Sequence, residues 1–450
     1  MALGNRGGSR LTTVTWVSRI GQKPKPKALI LTRVVCSWGE RLRTYCKRVD
    51  IENPAIVSGW IFDYLHGEKN RPPKWRRKDY QLFMVEWSCY SLDEIKLAVE
   101  YHNHNILLEI CDDIAREVCA RIRRRDLRLA PIKFFKRIDG ISLKERDISH
   151  ESIMQQIMDA VAVYALMPLF KAKILPHQYA SIKNRGQVAG ANKIAKWIRR
   201  DKRCRYYGKA DVKKCFQSLS RRVIMRLLRR DIRKNATLLW LVDSLLSTYW
   251  RIENGKVVIL GLVIGTLLSQ WLCNYALSYL FRYVQGLRRT KHRRGEIREV
   301  KLVYHILFYM DDIFVTGLRA ADVQSALRKA AAWAKKMLGV SLHDEFKILG
   351  FATNAVDMMG YVIGYESTTI RARIFLRARR HYLRAAVWLR HNKRLTLRRA
   401  QNVISYYGYF KNSDSTHIKA KLNVETIFAV AKRNVSFYTL VNHQKGPIAA

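Results

Sequence analysis

Acidic residues are scarce in this 450-residue chain: 36 Asp and Glu stand against 83 Lys and Arg, a formal charge of +47. Solubility needs far less charge, so a polyanionic partner is the economical explanation. Residues 1–39, with seven Lys and Arg, hold no acid at all, and neither do residues 367–413. The eight Cys form no CxxC pair, which argues against a zinc knuckle or a disulfide framework and fits reduced, buried thiols of a cytosolic-type compartment. No uninterrupted apolar run of about 18 residues appears, so no membrane span and no membrane partner are expected. The 48% hydrophobic content is ample for real cores, and the length allows two to four domains.

Against that background, residues 302–316, LVYHILFYMDDIFVT, stand out. Apolar and β-branched residues flank Asp311 and Asp312 without Gly or Pro, which predicts two short strands joined by a turn that carries both acids. A buried turn holds paired carboxylates only with a cation to neutralise them, and hard divalent ions take such oxygen ligands. Asp112-Asp113 shows the bland alternative. It lies in LLEICDDIAREVCARI, where Leu108, Cys111, Ile114, Val118 and Ile122 keep helical spacing, and reads as the wet face of a helix over 107–125.

In chain order, residues 1–39 read as a flexible basic arm for nucleic acid, with an organellar transit peptide as the alternative. Residues 40–125 read as a mainly helical N-terminal extension interrupted at KNRPPKWRRK (69–78). Asp139-Gly140 between two alternating runs (Ile132 to Ser149) predicts a hairpin, whose Lys136, Arg137, Lys144 and Arg146 suit a triphosphate clamp or merely discourage edge pairing. A helix over 151–166 follows, then a basic KNRG turn opening another helix toward Trp197. Asp211 ends a strand-like run in YYGKADVKKCFQSL, with Phe216 five residues on, and supplies a third carboxylate of the kind a two-metal site uses. Residues 259–287 carry a Gly-rich bend and then a long helix with Ser269 as its expected N-cap.

The ordered set of Asp211 with Phe216, IGTLLSQ (264–270), YMDD (309–312), LGVSLHDEFK (338–347) and MGYVIG (359–364) resembles the successive motifs of reverse transcriptases. The resemblance covers about residues 107–425. It implies an α+β right-hand polymerase: fingers at 126–205, a palm with an antiparallel sheet at 206–365, and a helical basic thumb and tail at 366–450, after the extension. Asp211, Asp311 and Asp312 would hold two Mg²⁺, with Mn²⁺ the alternative ion. Lys136, Arg137, Lys144 and Arg146 would meet the phosphates of an incoming dNTP. Phe216 would lie under its sugar, Ile264, Gly265, Gln270 and Tyr309 would line the nucleotide and template site, and Lys347 would serve as a general acid.

Within the family, IGTLLSQ and the segment SYYGYFKNSDSTH (405–417) resemble the bacterial group II intron, retron and diversity-generating retroelement lineage, closest to the last. The lack of a His/Asn-rich cluster after the thumb argues against a group II intron endonuclease, and defence-associated (antiviral) relatives share the core. The implied partners are an RNA template, an RNA/DNA duplex and dNTPs, with a structured non-coding RNA and a small accessory protein beside them. The implied location is the cytoplasm of a bacterium or phage host. A basic segment, RRTKHRRGEIR (288–298), would touch template or structural RNA. Phe375, Leu383, Val387 and Leu389 are expected to form the apolar face of a thumb helix whose Arg residues track the duplex. Tyr406, Tyr407 and Tyr409 would stack on bases or pack in the core. A non-catalytic RNA-binding or maturase-like protein is the reading from a different class.

Overall fold

A computed structural model describes residues 44–67, 72–138, 145–293, 295–343 and 345–444. The basic arm of residues 1–39 and Lys144 therefore lie outside the described residues.

The N-terminal extension is helical, as its periodicity requires. Helices α1 (Pro54–His66), α2 (Lys78–Glu86), α3 (Leu92–Glu100) and α4 (His104–Arg124) follow one another. Their starts are chemically marked: Asn53 caps α1 ahead of Pro54, and Ser91 with Glu94 forms a capping box on α3. Helix α4 begins at the Asn103 cap rather than at residue 107. Ile61 of α1, Tyr80 of α2 and Ile114 of α4 lie in one core with later elements. Asn235 ties the chain start down, its side-chain nitrogen donating to the Cys46 and Val49 carbonyls, each at 2.9 Å.

A ribbon of β1 (Lys133–Ile138) and β2 (Glu145–His150) comes next. Its antiparallel register, with Ile138 opposite Glu145, is the hairpin expected there, and Asp139-Gly140 lie outside the described residues. Helix α5 (Ile153–Lys173) is capped by Ser152 and runs on past Leu166 through Pro168. By length and composition α5 is apolar enough to cross a membrane, yet 72% of its apolar window is buried inside the protein. It is the core helix of the fold. Helix α6 (Gln187–Arg200) starts after Gly186.

The central sheet contains β3 (Tyr206–Asp211), β8 (His305–Tyr309), β9 (Asp312–Gly317) and β10 (Ile348–Gly350), in the order β10-β3-β9-β8, all neighbours antiparallel. Alternation along these strands divides two cores. Ala210, Ile313, Val315, Ile306 and Phe308 face the first, with α5 and the helices α10 (Leu267–Gly286) and α11 (Ala320–Leu338). Tyr207, Phe314 and Leu307 face the second, with α6 and the C-terminal region. Between β3 and α10 lie the short helix α7 (Cys215–Ser218), α8 (Arg221–Asp231), α9 (Ala236–Ser247) and a hairpin of β4 (Trp250–Glu253) and β5 (Lys256–Ile259).

Helix α10 is capped by Thr266, not Ser269: the Ser269 N–H donates to Thr266 Oγ1 at 3.1 Å. Ser269 Oγ is turned inward instead, accepting from the Val263 N–H at 3.3 Å. A second ribbon, β6 (Arg288–Arg293) with β7 (Glu296–Lys301), joins α10 to β8.

After the central sheet come β11 (Val356–Met358), β12 (Tyr361–Ile363) and β13 (Thr368–Ile370), a small antiparallel sheet that continues past residue 365. The chain ends in α12 (Ala372–His391), α13 (Leu397–Lys411), α14 (Thr416–Lys421) and α15 (Val424–Gln444). The fully buried face of α12 is Ile374, Ala378, Tyr382 and Ala385; of the four residues expected there, Phe375 and Leu389 are half-buried against the same core. Leu383 and Val387 are exposed. The small Ala378 and Ala385 allow close approach, and the Tyr382 hydroxyl donates to the Val403 carbonyl at 3.3 Å. Tyr406, Tyr407 and Tyr409 each find a protein ring, on His381, Phe428 and Tyr361 respectively.

Candidate active site

The three aspartates separated along the chain meet at one end of the central sheet. Asp211, the last residue of β3, stands directly opposite Asp312, the first of β9, and Asp312 in turn stands opposite Tyr309 of β8. Directly opposed residues in an antiparallel pair have Cβ atoms about 4.5–5.5 Å apart. Met310 and Asp311 form the turn between β8 and β9, with Met310 at φ 54°. The Asp311 carbonyl accepts the Val212 N–H at 3.1 Å, which pins the turn beside the end of β3.

Asp211 and Asp312 share the sheet face of Lys209 and Tyr309, by the period of two. Burial pushes the Asp312 carboxyl up to about 6, with Lys209 opposing the rise and Asp311 and Asp211 adding to it. Opposed, partly buried carboxylates offer hard oxygen donors to a divalent cation, so the residues present fit such an ion.

Two basic side chains here escaped the sequence reading. Lys209 donates to the Asp357 carbonyl at 2.6 Å, and its position two residues before Asp211 was the available signal. His343 lies with Nε2 3.5 Å from Asp211 Oδ2, and its N–H donates to the Asp211 carbonyl at 3.0 Å. Lys347 is exposed just before β10, whose Ile348 stands opposite Gly208. That sets it at the sheet edge level with Lys209, while His343 is the residue of its motif that meets a carboxylate.

Phe216 is half-buried in α7, which follows Lys214 at φ 46°. Beneath it, Cys215 Sγ lies 3.5 Å from Cys273 Sγ of α10, both buried. Of the described cysteines only Cys89 is exposed, in keeping with the buried-thiol reading.

Gly265 has φ 128°, and a Cβ there would sit 2.5 Å from the Ser149 carbonyl. Only glycine lets the bend come this close to β2. The Ser149 N–H and hydroxyl both donate to the Ile264 carbonyl, at 2.7 and 2.9 Å, so the first ribbon is riveted to the bend. Ile264 and Gln270 are half-buried on either side of it. On the ribbon, Arg137 stands opposite Arg146, and Lys136 pairs with Glu145 at 3.1 Å. All three cations are exposed.

A further acidic pair lies under this bend. Asp159 of α5 is fully buried, and its Oδ2 accepts the Leu268 N–H at 3.2 Å while Oδ1 has no partner. Burial pushes its carboxyl well above the usual range. Glu151 is pushed up too, by burial and then by Asp159.

Residues 142–363 match the family model described as reverse transcriptase (RNA-dependent DNA polymerase). The chain carries a reverse transcriptase domain. The match takes in all three aspartates, the Gly265 bend and the small sheet through β12. Its activity class is that of an RNA-directed DNA polymerase, a nucleotidyltransferase, whose substrates are a nucleic-acid template and dNTPs. Reverse transcriptase domains generally use divalent metal ions. No curated protein matches the chain.

Proposed function

We propose that this reverse transcriptase domain extends a DNA primer on an RNA template with two Mg²⁺ held by Asp211, Asp311 and Asp312. The observation that carries the reading is the register that sets Asp211 opposite Asp312 with Asp311 in the adjoining turn. Magnesium bound there supplies Lewis acidity to the primer 3′-hydroxyl and to the departing pyrophosphate. The chain's own residues do the rest. Arg137 and Arg146, opposed across the ribbon, clamp the triphosphate, with Lys136 beside them. Phe216 supports the sugar and disfavours a 2′-hydroxyl. The Gly265 bend, held to the ribbon through Ser149, positions Ile264 and Gln270 at the templating pair, and Tyr309 flanks the primer end. His343 and Lys347 are the candidate proton donors for pyrophosphate.

In this reading residues 126–205 are fingers, 206–365 palm and 366–450 thumb, with α12 presenting its Arg residues to the duplex backbone. IGTLLSQ supports the diversity-generating retroelement lineage, with a retron-like or defence-associated enzyme second. A template/variable repeat pair beside the gene would support the first, and a defence island the second.

Primer extension on an RNA template with Mg²⁺ tests the catalytic reading. The parent is expected to extend and Asp311→Ala to fail while still binding RNA. Equal extension by both, or binding without extension by the parent, would leave a maturase-like RNA binder.

A further inference from the structure

The ribbon β6–β7 is built for contact yet touches little of its own molecule. Residues 288–301 contain seven Lys and Arg against two Glu. At its base Arg289 pairs with the buried Asp322 at 2.9 Å, Arg288 donates to the Gln285 carbonyl at 2.8 Å, and the Leu302 N–H meets the Leu287 carbonyl. Beyond that anchorage Lys291, His292, Ile297, Arg298 and Lys301 are all exposed. A two-stranded ribbon without a packed face is marginally stable by itself.

Its register adds a cost. Lys291 stands directly opposite Arg298, and Arg288 opposite Lys301, and like charges so placed are destabilising. Glu296, paired with Arg298 at 2.6 Å, and Glu299 offset only part of it. An anionic ligand would lower the energy of this arrangement, and packing within the chain does not.

Its position separates it from the aspartates. Helix α10 runs from Cys273, beside Cys215 near the site, to Gly286, about 20 Å at 1.5 Å per residue. From the other side, β8 leads from His305 to Tyr309, about 13 Å at 3.3 Å per residue. The ribbon therefore joins the sheet at the end opposite the Met310-Asp311 turn.

We propose that this ribbon binds the phosphate backbone of a folded RNA segment other than the stretch being copied. The reverse transcriptase reading supplies only the identity of the polyanion as RNA. Backbone binding of this kind is electrostatic and salt-dependent.

The test compares two ligands: a minimal primer–template, and the same primer–template with a folded RNA hairpin added to the unpaired template end. For K291A/R298A/K301A, affinity for the extended RNA is expected to fall about tenfold. The salt dependence of that binding should flatten by about 2–3 units of slope, at about 0.9 per phosphate contact. Binding to and extension of the minimal primer–template should not change. E299K, which adds a cation, is expected to tighten the extended RNA several-fold, and it decides the matter should the triple variant fail to fold. Equal weakening on both ligands would place the ribbon in the primer–template clamp and overturn the proposal. So would no change in the triple variant or in E299K, leaving the cations as guards against edge pairing. Asp311→Asn should bind both RNAs as the parent does, so loss of the catalytic reading and loss of this one are separable.

Discussion

The dipeptide Asp-Asp occurs twice in a described element or turn, and the two pairs lead different lives. Asp112 and Asp113 sit on α4, half-buried, and Asp113 has Arg116 one helical turn away as its partner. Asp311 and Asp312 sit where β8 turns into β9, and the nearest acid across the sheet is Asp211. The helix disperses its acids among cations, whereas the sheet gathers three of them. Glu151 and Asp159 are a third case, buried with no cation paired to them among the described residues, where the proton itself supplies the missing charge.

The contrast breaks if the two aspartate pairs respond alike. Asp311→Asn is expected to cost at least about 4 kcal/mol of transition-state stabilisation, roughly 10³-fold in primer-extension rate. Asp113→Asn should stay within about twofold in the same steady-state assay, since exposed pairs contribute about 0–1 kcal/mol. Stability should move the other way. With metal chelated, Asp312→Asn should stabilise the fold by about 1–3 kcal/mol in denaturant titrations by removing a crowded carboxylate, where Asp113→Asn gains nothing.

The third pair sharpens the comparison through pH. Because the folded carboxyls of Glu151 and Asp159 are raised above their unfolded values, the folded state binds more protons above about pH 4.5. Stability from this pair is therefore greatest below that pH and is lost progressively as pH rises, through about 7 for Asp159 and on to about 10 for Glu151. Glu151→Gln should flatten the decline of melting temperature between pH 5 and 8, and an unchanged slope would contradict the raised Glu151 carboxyl. A smaller loss than at Asp311 is expected at the motif after α11. His343→Ala should lower the extension rate about tenfold, within the range of a lost proton donor, while Lys347→Ala should lower it less. The reverse order would return the role to Lys347.

Much of this was legible in the chain. Strand alternation around YMDD, the run ending at Asp211 and the Gly-containing bend each carry a local signal, and the structure shows strands and bend there. Elsewhere local signals misled. Ser269 looked like a cap because serine favours that position, but Thr266 stands three residues earlier and Ser269 is needed inside. On α12 the larger apolar residues suggested a stripe of which Phe375 and Leu389 pack but Leu383 and Val387 do not, because close approach is made at Ala378 and Ala385.

The sequence by itself determined the element types, the basic surface and the identity of the acids, because hydrophobic period and charge are properties of neighbours in the chain. Only the tertiary structure decided which acids meet. Cross-strand register brings Asp211 to Asp312, and helix packing buries Asp159 while leaving Asp113 half in solvent. Those outcomes depend on contacts between residues about a hundred positions apart, and no local pattern of side chains encodes the dielectric in which a carboxylate finally sits.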